Sequence, residues 1–343
     1  MDLPSTRYYG SKRRIVHKIW DALQEEHIEF DSLLDLFGGT AIVSYFMLKK
    51  GKKVFYNDVL LFNCINARAL LATPKGIFTK QDALSMLTPQ KGTIYKNIIA
   101  KNFRNVYFTD SENKQLDIIV QNVNQMNEEQ QCCGFYVMSQ ACLIKRPFNI
   151  FHRNNLYLRL NHKRSNFGNF VTWEKSFQSL FTHFADELNH YQFENPGNIV
   201  ISNESALTCH QTADIVYIDP PYFNKSSSIT YHTRYHFLEG LTHYELIEDY
   251  INKKKKNKEI QINKNLEFEQ KTCFVQQLSD LFAKYKDSII AMSYTTNGYP
   301  SIDEIVKIMS QYKEYVVVKN LGHIAFALNK NNGTREEVLI IGK

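Results

Sequence analysis

A short apolar run that breaks at two glycines and resumes as a helix constrains the fold of this chain more than any other feature. Ser32-Leu33-Leu34-Asp35-Leu36-Phe37 reads as a buried strand ending at Gly38-Gly39. Thr40 can then cap a helix over 41–50, which Gly51 stops. Residues 53–58 read as a second strand and 60–71 as a second helix, ended near Pro74. Strand, glycine turn, helix and strand form the right-handed crossover of a parallel sheet, so the fold class is α/β. Apolar runs at 198–202, 214–218 and 288–294 read as further buried strands, and 315–318 and 337–341 as closing strands. Ser301 and Glu304 have capping-box spacing and open a helix to about Tyr312.

The chain has 343 residues, more than one typical domain, and its character changes in the middle. We expect a main α/β domain from residues 1–75 and 197–343, with 76–196 inserted. The insertion carries helix-like patterns at 114–125 and 130–143. A basic and aromatic stretch follows, from Lys145 and Arg146 through Arg153 and Arg159 to Lys163 and Arg164. Lys and Arg exceed Asp and Glu by 41 to 35, a net charge of +6, and there are 20 Tyr and 23 Phe, so acidic partners such as nucleic acid suit the chain. With 43% apolar and 22% charged residues it is no disordered polyelectrolyte. No apolar run approaches the ~18 residues of a membrane span. The six cysteines form no Cys-x-x-Cys pair, so no metal site or disulfide framework is expected, and a reduced, cytoplasmic, bacterial-type chain fits. Lys253 to Lys256 read as solvated surface.

Three motifs carry chemistry. Asp219-Pro220-Pro221-Tyr222 follows the 214–218 strand. Two prolines cannot continue a ladder and fix a rigid turn at the carboxyl edge, where open α/β sheets bind ligands. A carboxylate, a backbone carbonyl and an aromatic face held together there can bind a planar amine; the same tetrapeptide could also be a plain capped turn. In Asp35-Leu36-Phe37-Gly38-Gly39-Thr40 the glycines allow close backbone approach to a ligand before a helix amino end. Asp58, closing the next strand, suits ribose hydroxyls or a helix N-cap equally. Finally, in Arg7-Tyr8-Tyr9-Gly10-Ser11-Lys12 a glycine bend can deliver the Lys12 ammonium to a carboxylate, or the segment can be a mobile terminus.

Taken in order, these motifs resemble the Dam-like (alpha-class) DNA adenine-N6 methyltransferase family; Ser293-Tyr294, Asn297-Gly298 and the closing 334–341 segment agree. The resemblance implies a Rossmann-like S-adenosylmethionine methyltransferase sheet with helices on both faces and an inserted, mainly helical target-recognition domain. It implies that Tyr8, Lys12, Asp35, Phe37, Gly38, Gly39, Thr40, Asp58, Glu204 and Asp219 bind S-adenosyl-L-methionine, with Glu204 at its adenine. Asp219, Pro220, Pro221 and Tyr222 form the catalytic corner that holds the target adenine. Lys145, Arg146, Arg153, Arg159, Lys163, Arg164, Tyr231 and Arg234 contact double-stranded DNA, and residues 231–236 form a loop closing over the substrate. A monomer acting beside a cognate restriction endonuclease is the implied setting. Methylation of RNA or of a cytosine amine, and non-catalytic DNA binding, are the alternatives.

Overall fold

The computed structural model describes residues 1–161, 170–223, 230–262, 266–323 and 336–343. These form a seven-stranded sheet from β1 (Ser32–Asp35), β2 (Lys53–Asn57), β3 (Ile199–Ser202), β4 (Ile215–Ile218), β5 (Ile289–Thr295), β6 (Val316–His323) and β7 (Glu336–Gly342). Their order is β3-β2-β1-β4-β5-β7-β6, with β7 antiparallel to both of its neighbours. The central strands are apolar at consecutive positions because both faces are covered. Leu33, Ile215, Tyr217 and Leu339 face one apolar cluster, while Leu34, Val216, Ile218 and Ile340 face another. The first face carries α1 (Val16–Glu25), α2 (Ile42–Lys49) and α3 (Leu61–Ala67).

Between α3 and β3 the chain is helical: α4 (Lys80–Ser85), α5 (Ile98–Asn102), α6 (Asp110–Val123), α7 (Glu128–Ile144), α8 (Leu156–Leu160), α9 (Phe170–Glu174) and α10 (Phe177–Tyr191). These helices do not stand apart. Phe103, Tyr107 and Phe151 pack on Phe237 of α11 (Tyr231–Thr242), with ring centroids 5.0–5.3 Å apart, and share the first cluster. After α12 (Ile247–Tyr250), α13 (Phe274–Lys284) and α14 (Ile302–Met309) cover the second face through Leu278, Leu281, Ile305 and Met309.

Strand order reverses between β1 and β4, so their carboxyl ends diverge and leave a crevice there. The amide of Leu36 donates to the Tyr217 carbonyl at 3.1 Å, which sets Asp35 beside the start of the Asp219 turn.

Three local expectations need correction. Thr40 does not cap α2: Ala41, at φ 60°, precedes the helix with no side-chain cap. Instead the Asp35 carboxylate accepts from the Ser44 amide at 3.2 Å and its hydroxyl at 2.7 Å. β3 is an outer strand rather than a buried one, and Val200 is 40% exposed. Residues 231–236 are not a loop but the first turns of α11, capped by Thr230.

Candidate active site

A cleft of about 730 Å³ opens at the crevice, within the range of ligand pockets, roughly 300–1,000 Å³. Asp219, immediately after β4, puts its carboxylate here. Its Oδ2 pairs with the Lys12 ammonium at 2.7 Å, and its Oδ1 accepts from the Tyr222 hydroxyl at 2.5 Å. Lys12 is buried, donates also to the Gly10 carbonyl at 3.2 Å and sits 5.0 Å from the Tyr222 ring centroid. The N-terminal motif and the proline turn therefore meet as one unit. Pro220 is buried and Pro221 lines the cleft. The Tyr222 ring is held edge-on by Tyr294 at 5.3 Å.

The glycine turn forms the facing wall with Phe37, Gly38, Gly39 and Thr40. Gly38 is required by the protein itself, because a Cβ there would overlap the Tyr56 ring. Gly39, at φ +49°, has ordinary contact distance to Tyr8 and keeps its face toward the cleft. Asp58 does both things its position allowed. Its Oδ2 accepts from the Gly39 amide and its Oδ1 from the Leu60 amide at the start of α3, both at 2.8 Å, while the residue lines the cleft. Burial pushes its carboxyl up against the pull of those hydrogen bonds. Burial likewise raises Asp35 to about 7, opposed by Ser44 and assisted by the charge of Asp219.

An aromatic stack forms the third wall. Tyr8 lies face to face with Tyr235 at 4.2 Å and with Tyr231 at 5.6 Å. The Arg234 guanidinium covers Tyr9 at 4.3 Å and Tyr231 at 5.4 Å. Gly10, at φ +83°, lets this strap pass the Tyr231 hydroxyl, which a Cβ would approach to 2.8 Å. Tyr231, expected to touch DNA, thus lines the cleft itself.

Glu204 is not among the residues lining the cleft. Its carboxylate accepts from the His210 amide at 2.9 Å and pairs with the imidazole at 3.3 Å, which hold its pKa below the usual range. Glu267 and Glu269 line the cleft instead, and no motif in the sequence marks them.

The basic stretch divides. Lys145, Arg146 and Arg159 do not offer charge to a phosphate, contrary to expectation, because the protein uses it internally. Glu112 pairs with Lys145 at 2.9 Å and with Arg159 at 2.8 Å, all three side chains lying at 15% exposure or less. Burial alone would raise the Glu112 carboxyl, but the two cations outweigh it and hold it at about 2. Arg146 is 1% exposed, donates to the Tyr107 and Arg153 carbonyls and to Asn155 Oδ1, and stacks 4.4 Å from the Tyr107 ring; burial lowers it to about 9. Arg153 is exposed and Arg234 half-buried at the cleft rim. Lys163 and Arg164 lie outside the described residues.

The arrangement can hold a cationic, hydroxyl-bearing ligand among carboxylates and ring faces, beside a rigid corner suited to an amine. Comparison with known proteins agrees. The profile of the D12 class N6 adenine-specific DNA methyltransferases matches residues 8–292. The chain is 26% identical to the type II methyltransferase M2.HphI of Haemophilus parahaemolyticus, over 98% of this chain and 96% of that protein. It is 24% identical to the modification methylase StsI of Streptococcus sanguinis, over 89% of this chain but 46% of that enzyme. To the type II methyltransferase M.NlaIII of Neisseria lactamica it is 23% identical, over 91% and 90%. The chain belongs to the D12 class of N6 adenine-specific DNA methyltransferases.

Proposed function

We propose that the cleft binds S-adenosyl-L-methionine and that the enzyme methylates N6 of an adenine flipped out of duplex DNA, as the modification half of a restriction–modification pair. The observation that carries this reading is the Asp219–Lys12–Tyr222 unit at the crevice between β1 and β4. The donor set fits the cofactor. Asp58 suits a ribose, and the faces of Tyr8, Phe37 and Tyr231 favour a positive charge near them. Bound there, the cofactor supplies an electrophilic sulfonium methyl.

The chain's own residues prepare the nucleophile. An adenine amino nitrogen is weakly nucleophilic because its lone pair is delocalised into the ring. Asp219 and the Pro220 carbonyl accept its two protons, which favours a tetrahedral nitrogen and frees the lone pair. Lys12 and Tyr222 fix the carboxylate before substrate arrives, and such orientation is worth up to ~7–11 kcal/mol. No covalent intermediate is required.

Flipping needs something to fill the stack. Phe148 and Asn149 both have left-handed backbone, φ 66° and 58°, and Phe148 is 38% exposed. Strain of this kind persists only where the surroundings enforce it. Buried Arg146 braces the loop from below, and the Phe151 amide ties it to the Arg234 carbonyl at 2.8 Å, beside the cleft rim. Phe148 is the apolar wedge of this reading and exposed Arg153 its DNA contact. The experiment is methyl transfer from labelled S-adenosylmethionine onto duplex DNA, a duplex whose only amino-bearing pyrimidine target is cytosine, and RNA. Label in N6-methyladenine of the first substrate alone supports the reading; label in cytosine or RNA overturns it.

A further inference from the structure

We propose that Glu267 reads the adenine of the methyl donor, its buried Oε2 accepting a hydrogen from the 6-amino group. The inference rests on the cofactor reading above and deepens it. The segment 266–269 is a shaped wall of the cleft. Phe268 has left-handed backbone, φ 60°, and turns into the core, 1% exposed, with its ring 5.1 Å from Phe37. Its amide donates to Gln277 Oε1 at 2.9 Å. Glu269 accepts from the His232 amide at 2.8 Å, clamping the segment to the start of α11. With Phe268 buried and both sides pinned, Glu267 and Glu269 flank it on the cleft side.

Glu269 is thereby occupied. Glu267 Oε2 is buried and has no hydrogen-bond partner among the described residues. A desolvated carboxylate oxygen without a donor is costly, and one aimed into a ligand cleft is most simply completed by the ligand. Position selects which donor. Asp58 holds the β2 side of the cleft, and Asp219 with Lys12 holds the reacting end. Glu267 belongs to a third direction, toward Lys284, which donates to the Leu207 and Cys209 carbonyls at 2.8 and 2.6 Å and lies within electrostatic reach of both Glu204 and Glu267. That is the end of the cleft beyond the sugar, where the ligand's remaining donor is the amine on its base. The resemblance gave this contact to Glu204, which His210 already engages.

A carboxylate accepts from a 6-amino purine and repels the carbonyl of a 6-oxo purine, so it specifies the base. The test is calorimetric binding to the full chain of S-adenosylhomocysteine and of its 6-oxo counterpart, S-inosylhomocysteine. The wild type is expected to prefer the amino form by about tenfold or more, the range of a hydrogen bond to a charged group. In Glu267→Gln that preference shrinks, because the amide can donate to the oxo group; in Glu204→Gln it stays. Glu267→Ala, which removes the unpaired oxygen without adding a donor, is expected to lose the preference as well. Full preference retained in both Glu267 variants, or its loss in Glu204→Gln, overturns the assignment while leaving cofactor binding intact. Failure of the wild type to bind S-adenosylhomocysteine at all overturns the cofactor reading, and this inference with it.

Discussion

Replacing Glu112 by alanine tests whether the basic stretch serves stability or DNA binding. The carboxylate is shared by Lys145 and Arg159, whose side chains are 3% and 7% exposed. Its removal leaves two buried cations without a counter-charge, a change that typically costs about 3–5 kcal/mol. It also deletes the capping contact from the Thr109 amide to Glu112 Oε2 at 2.9 Å, worth about 1 kcal/mol more. Urea unfolding at pH 7 should show a loss of at least about 3 kcal/mol. A pH series adds a signature. The folded pKa of about 2 lies below the unfolded value of 4.5, so the contribution is complete above pH 4.5 and disappears as pH falls toward 2. The shift corresponds to about 3 kcal/mol of wild-type stability over that window, which the variant should lack. A Glu112→Ala protein that unfolds like the wild type, yet binds DNA more tightly through newly freed cations, would refute the internal role assigned to these residues.

Arg153→Ala should unfold normally while weakening DNA binding and lowering the slope of log affinity against log salt by about 0.9, the signature of one lost phosphate contact. An unchanged slope removes Arg153 from the backbone-contacting surface. Phe148→Ala should reduce the fluorescence of 2-aminopurine placed at the target adenine, since unstacking a base costs a few kcal/mol that the wedge offsets. Wild-type fluorescence with normal turnover would leave the strained loop without the wedge role.

Much of this site was legible because the motifs sit at strand ends. The apolar run to Phe37 and the one to Ile218 had to be neighbouring strands, so the glycine turn and the proline turn had to meet at one edge. Chemistry also favoured Lys12 finding a carboxylate, and Asp219 is the one it pairs with. Polarity alone could not say which charges are solvated. Lys145 and Arg159 resemble a phosphate-binding stretch until Glu112, far upstream on α6, is folded against them. Thr40 had the right identity for a cap, but Asp35 reached the same amide from the preceding strand. The outer position of β3 depends on the strand order, which no single apolar run encodes. Glu267 had no local signal, since its place in the cleft depends on the left-handed turn at Phe268.

Separating donor binding from transfer in Asp219→Ala addresses the main proposal most directly. S-adenosylhomocysteine binding, read by calorimetry, and N6-methyladenine formed in duplex DNA, read by mass spectrometry, are to be measured on the same preparation. Binding is expected to survive while transfer falls by at least about a hundredfold, as when an oriented polar group at a reacting centre is removed. Transfer at the wild-type rate, with binding intact, would contradict the role of Asp219 in holding the target amine.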